Sequence, residues 1–194
     1  MAGTLEGKKI AILAADGVEQ VELTEPRKAI EEAGAQTELI GLQEGEILGF
    51  NHLDHGDRFP VDKVVADARP DDYDGLLIPG GVANGDFLRA DEDAVRFVAR
   101  FAEAHKPIAS ICHGPWVLVE AGIVKGRTIT SWPSLRTDVR NAGGTWVDEE
   151  VHVDQGLVTS RRPDDIPAFS AKAIEEFGEG AHEDMPQPAG TAAS

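Results

Sequence analysis

The stretch KPIASICHGPW, residues 106–116, holds the only cysteine in a chain of 194 residues, followed at once by His113. An apolar run from Ile108 to Ile111 ends at Cys112, and Gly114-Pro115 opens a helical pattern. Ser110-Ile111-Cys112-His113-Gly114 has the small-x-nucleophile-x-Gly form of a nucleophile elbow, a tight strand-to-helix turn that exposes the reactive atom. Proline suits the first helical turn, where its missing N–H is not needed. A thiol just before a helix feels the positive end of the backbone dipole, which favours the thiolate that attacks carbonyls. His113 could orient or deprotonate that thiol. The plainer readings are a buried structural cysteine and a polar residue at a helix start. The turn position favours a reactive Cys112 and leaves His113 open between its two roles.

Such a junction needs a sheet whose strand ends carry loops. Short β-rich runs alternate with helical ones along the chain: Lys8–Leu13, Thr37–Leu42, Leu76–Ile78 and Ile108–Ile111 as strands. Val21 to Ala33, Asp91–Ala104, Gly114–Ala121, Leu135–Ala142 and Asp164 to Phe177 carry helical periodicity. Residues 43–70 contain Gly, Pro and two weak β runs, a hairpin-like excursion. Later short strands are expected at Thr128–Ser131, Trp146-Val147, Val151–Val153 and Leu157–Thr159. Strands separated by helices imply an α/β fold, a mostly parallel sheet flanked by helices on both faces. Sites in such sheets form at the carboxyl ends of strands, and Cys112 falls at one. Residues 1–177 make a single domain. The small, polar residues 178–194 are expected to be a disordered tail.

The net charge of −17 and a pI near 4.6 exclude a nucleic-acid partner, because neutralising phosphates takes clustered Lys and Arg. No apolar stretch approaches the ~20 residues a membrane span needs. A lone cysteine forms no internal disulfide, and the N-terminus lacks a signal-peptide pattern, so a cytoplasmic location is expected. No cofactor and no metal are expected. His52-x-x-His55 lies in a Pro/Gly-bounded loop without helical ligand spacing and reads as solvated. His152 and Asp154 share a strand face and read as solvent-facing alternation; Trp132 and Trp146 read as core or interface residues.

Several ordered segments point further: KKIAILAADGVEQVELTEPRKAIEEAG, DYDGLLIPGG, KPIASICHGPWVL, and the later AGIVKGRTITSW and VRNAGGTWVDEEVHVDQGLVTSRRPDDIPAF. Together they cover nearly all of residues 7–177. The chain resembles the PfpI intracellular-protease family of the ThiJ/PfpI superfamily, whose fold is flavodoxin-like and class I glutamine amidotransferase-like. The resemblance implies that Cys112 is the nucleophile and His113 the base. It implies that Glu19, protonated, donates a hydrogen bond to the thiolate, since an ionised carboxylate there would be a like-charge neighbour. An acid after the PGG turn, supplied by a neighbouring subunit, orients the histidine. Asp86 matches, in a loop one residue longer than usual, with Asn84 and Asp91 as alternatives. The amides of Gly81 and His113 would form an oxyanion hole, although Pro79-Gly80-Gly81 alone would pass for a turn. Trp116 departs from the polar residue common after CHGP and would narrow the site or pack at a subunit contact.

Three activities share this chemistry. A glyoxalase III or deglycase would act on a small aldehyde such as methylglyoxal or its adducts, a peptidase on peptides, and a redox sensor or chaperone would use an oxidisable thiol. A small shielded site would suit the aldehyde. The family implies self-association into a homo-dimer or hexamer.

Overall fold

In the computed structural model, which describes residues 4–181, the chain runs β1 (Lys9–Leu13), β2 (Val18–Glu19), α1 (Gln20–Glu32), β3 (Gln36–Gly41), β4 (Glu46–Asn51), β5 (Asp54–Pro60) and β6 (Lys63–Val64). It continues through β7 (Gly75–Ile78), α2 (Val82–Ala90), α3 (Glu92–Glu103), β8 (Ile108–Ile111), α4 (Pro115–Glu120) and β9 (Thr128–Ile129). The remainder is α5 (Arg136–Asn141), β10 (Thr145–Trp146), β11 (Val151–Asp154), β12 (Leu157–Ser160) and α6 (Ile166–Glu179). The seven-stranded main sheet has the order β11-β12-β8-β7-β1-β3-β6. Every pairing in it is parallel except β11 with β12. The expected mostly parallel sheet with helices on both faces is present.

Successive residues of a strand point to opposite faces, and the two cores divide accordingly. Ala11 and Leu13 join Phe97, Phe101 and Leu118 on one side, under α3 and α4. Ile10 and Ile12 join Leu23, Phe169 and Phe177 on the other, under α1 and α6. The central strands are therefore apolar throughout, as strands covered on both faces must be. α3 buries Ala94, Phe97, Val98, Phe101 and Ala102 along one stripe, and Asp91 caps its N-terminus by accepting from the Ala94 N–H.

Several elements differ from the sequence expectation. Residues 82–90 form α2 and not a loop, although Asn84, Gly85 and Asp86 are weak helix formers; the Asn84 side chain holds the segment by donating to the Pro79 and Gly80 carbonyls. The excursion is a hairpin of β4 and β5 that pairs with β2 in a separate three-stranded sheet. β5, DHGDRFP, has no apolar alternation and was invisible as a strand; backbone pairing to β4 forms it. Lys63-Val64 instead edges the main sheet as β6. α6 runs two residues past the expected end, to Glu179. The disordered-tail expectation falls mainly on residues 182–194, outside the described residues.

Candidate active site

β1, β7 and β8 are neighbours in the sheet, so the loops at their carboxyl ends meet. Cys112 leaves β8 with φ 61°, a left-handed conformation rare for a residue with a side chain. Flanking residues let the turn close: a Cβ at Gly114 would stand 2.6 Å from Ser110 Oγ and 2.7 Å from the Ile78 carbonyl. That is the small-residue requirement of an elbow. β7 delivers Gly80 to the other side of the sulfur, where a Cβ would lie 2.5 Å from Cys112 Cβ. The backbone N–H groups of Gly81 and His113, the pair expected to face an oxyanion, hydrogen-bond the Cys112 sulfur. α4 is only six residues long, so these two amides, more than a helix dipole, set the local potential.

The sulfur is not exposed as an elbow would suggest; Cys112 is 6% accessible. Burial pushes its thiol up, and an ionised Glu22 would push it further, while the two amides pull it down. His113 Nδ1 lies 3.2 Å from Sγ. Burial lowers His113 to about 4, so at neutral pH the ring is uncharged.

The acid beside the sulfur is Glu22 and not Glu19. Glu19 ends β2 and is the N-cap of α1 in extended conformation; its carboxylate turns to the hairpin and accepts the His52 N–H at 3.2 Å. Three residues on, in the first turn of α1, Glu22 faces inward and is fully buried. Its Oε2 accepts the Gly80 N–H at 2.9 Å, and its carboxyl hydrogen-bonds the Cys112 thiol. Burial, reinforced by Glu19, pushes Glu22 up to about 8. At pH 7 it is protonated and can donate to sulfur, the role first expected of Glu19. The signal was present in the sequence: Glu22 falls on the buried stripe with Leu23, Pro26 and Ile30, where a carboxyl has no reason to be unless it has a partner.

Asp86 sits exposed on α2 and lines the same cavity as Glu19, Gly81, Cys112 and His113. Within the one chain the outer ring nitrogen of His113, Nε2, faces Ser134 Oγ at 3.5 Å. The two alternatives are engaged elsewhere: Asn84 accepts the Ala15 N–H and Asp91 caps α3. Aromatic rings also hold His113. Trp132 stacks on it at 5.7 Å and Trp116 meets it edge-on at 5.1 Å. Trp116 is fixed in turn by an Nε1–H bond to Asp138, and Arg89 lies over its ring. The Trp132 N–H donates to the Cys112 carbonyl, which explains how a residue twenty positions away enters the site.

His52, read as solvated, also lines the cavity, because the hairpin tip folds over it. His152 pairs with Glu149 at 2.7 Å, while Asp154 accepts the Thr128 N–H, so these two do not form a His–acid pair. The cavity measures about 570 Å³, more than a shielded niche for a three-carbon aldehyde. Among the described residues no helix is long and apolar enough to cross a membrane.

Known proteins resemble this chain in sequence and fold. The chain is 44% identical over 168 residues to a Bacillus subtilis protein named "Putative cysteine protease YraA", covering 86% of this chain and 96% of that one. It is 41% identical to the deglycase TK1284 of Thermococcus kodakarensis, covering 86% of this chain and 98% of the other. The crystal structure of Drosophila melanogaster DJ-1beta superposes with a TM-score of 0.80 at 25% identity, over 88% of this chain and 90% of that one. The model of the DJ-1/PfpI family matches residues 8–176, and a buried carboxyl, a thiol at a strained turn and a histidine on one sheet rim sit inside that span: the chain belongs to the DJ-1/PfpI family.

Proposed function

We propose that this chain is a cysteine-dependent enzyme of reactive carbonyls, of glyoxalase III or deglycase type. The observation that carries the reading is the buried sulfur held between two backbone amides, a protonated Glu22 and a neutral His113. A thiol on a cavity floor is reached by a small aldehyde more readily than by a folded polypeptide. Cys112 adds to the aldehyde carbon of a 2-oxoaldehyde and gives a hemithioacetal; the amides of Gly81 and His113 are then free to face its oxygen. His113 moves the proton from that carbon to the neighbouring one, producing a thioester. Water hydrolyses the thioester, releasing the 2-hydroxy acid and the thiol. Methylglyoxal plus water thus gives lactate, with no cofactor. Purified protein and methylglyoxal without glutathione should form lactate, and Cys112→Ala should not; absence of lactate from the wild type removes the reading.

Peptidase activity is the second reading, favoured by the name of the Bacillus subtilis relative and by a cavity large enough for a side chain. Cleavage of fluorogenic peptides that disappears in Cys112→Ala would establish it. The reading includes self-association in the cytoplasm, with a carboxylate of an adjoining copy orienting His113; turnover per chain should then fall on dilution below the assembly concentration.

Burial keeps the Cys112 thiol protonated across this range, so the pH profile follows from His113 and Glu22. His113 charges only near pH 4, and Glu22 ionises near pH 8, where it becomes a like-charge neighbour of the thiolate. kcat/KM for methylglyoxal should therefore plateau between about pH 5 and 7.5 and fall on either side. Glu22→Gln should abolish the alkaline fall, whereas Glu19→Gln should keep it. Stability carries the same sign. Between its unfolded value near 4.5 and about 8, Glu22 holds a proton only when folded, so its effect on stability worsens as pH rises through that window. The melting-temperature advantage of Glu22→Gln should grow from pH 5 to pH 8.

A further inference from the structure

We infer that the preferred substrate is a neutral 2-oxoaldehyde bearing an aromatic or bulky apolar group, the aldehyde on the cavity floor and the ring against its upper wall. The inference rests on the carbonyl-chemistry reading above and specifies its substrate class. Cys112, His113 and Glu22 converge at the floor, and besides Glu19, His52 and Asp86 the walls are apolar: Phe50, Leu53, Val82, Trp116, Trp132 and Pro163. A volume of about 570 Å³ lies in the ~300–1,000 Å³ range of sites that enclose drug-sized ligands, so a three-carbon aldehyde would leave the walls untouched.

Three of those wall residues present apolar surface to water. Leu53 is 93% exposed at the hairpin tip, Val82 58% and Trp132 37%. Grouped round one cavity, they are the kind of apolar patch that marks a binding site. Trp132 is already stacked on His113, which leaves it in place to meet a ligand ring close to the reacting sulfur. Charge narrows the class further: Glu19 and Asp86 line the same cavity on a chain of net charge −17. Anionic side groups are disfavoured there, and the carboxylate product is helped to leave.

Phenylglyoxal is the probe. With water it gives mandelate by the same sequence: C–S bond formation, proton transfer between adjacent carbons, and thioester hydrolysis. Covering one phenyl ring predicts kcat/KM at least about tenfold above that for methylglyoxal. Initial rates are taken while the chain mass is unchanged, since phenylglyoxal also adds to arginine. Leu53→Ser and Val82→Ser should each lower the phenylglyoxal-to-methylglyoxal ratio about threefold or more. A ratio of one or less in the wild type, or a ratio that neither variant moves, overturns the inference. If neither dicarbonyl is consumed, the carbonyl reading falls, and tryptophan quenching in Cys112→Ser then decides the substrate-pocket inference. Mandelate binding at least tenfold tighter than lactate upholds it, and equal affinities overturn it.

Discussion

Cys112→Ser should lower methylglyoxal turnover by about a thousandfold or more while melting within a few degrees of the wild type. The substitution keeps the side chain's size, its left-handed backbone and the hydrogen bonds of its N–H to the Ser160 carbonyl and of its carbonyl to the Trp132 N–H. What changes is acidity and nucleophilicity. Burial holds the Cys112 thiol up while the amides of Gly81 and His113 pull it back, and His113 Nδ1, 3.2 Å from Sγ, is placed to take the proton as sulfur attacks. A hydroxyl starts several pH units higher, and the same neighbours cannot close that gap. Parallel melting curves and lactate assays check the result. A serine variant that retains a tenth of the activity would show that the sulfur is not the attacking atom.

Gly80→Ala should be nearly as damaging to activity, for a steric reason, and should also lower stability. The added Cβ would stand 2.5 Å from Cys112 Cβ and 2.9 Å from the Ile111 carbonyl, and closer still to the Glu22 carboxyl. Neither the Cys112 Cβ nor a strand carbonyl can swing aside as the end of a flexible chain could, so the β7 and β8 loops must separate. Overpacking of this kind costs about 1–3 kcal/mol, a fall of roughly 2–10 °C in melting temperature for a domain of this size. The accompanying shift of sulfur against Glu22 and the Gly81 N–H predicts about a hundredfold loss in kcat. Gly178→Ala is the control. Its Cβ would meet nothing nearer than 3.7 Å, and inside α6 it should be neutral or slightly stabilising.

The contrast between these residues and those that sequence reading misplaced has a physical basis. Cys112, its small neighbours Ser110 and Gly114, and the Pro79-Gly80-Gly81 turn were legible because local backbone geometry selects them. A strand end, a tight turn and a helix start leave marks within five residues. The sheet was legible for the same reason, from apolar runs spaced by helical stretches. The choice between Glu19 and Glu22 depends on which residue of one helical turn faces the core, and that is fixed by where α1 begins. Trp132 and the hairpin tip were out of reach by local reading. They arrive through long-range bonds, such as the Trp132 N–H to the Cys112 carbonyl and the His52 N–H to Glu19. The segment around Asp86 is poor in helix formers and reads as a loop; α2 forms there through the bonds of the Asn84 side chain.

The hairpin of β4 and β5 stands outside the main sheet, joined to it through β2, yet it supplies Phe50, His52 and Leu53 to the cavity wall. Reactivity therefore resides in the rigid rim of one sheet and selectivity in an appendage that contributes none of the reacting atoms. Exchanging residues at its tip can retune which molecules are admitted while the thiol, carboxyl and imidazole keep their mutual positions. A lineage could diversify its diet through the codons of Phe50, His52 and Leu53 without relearning its chemistry.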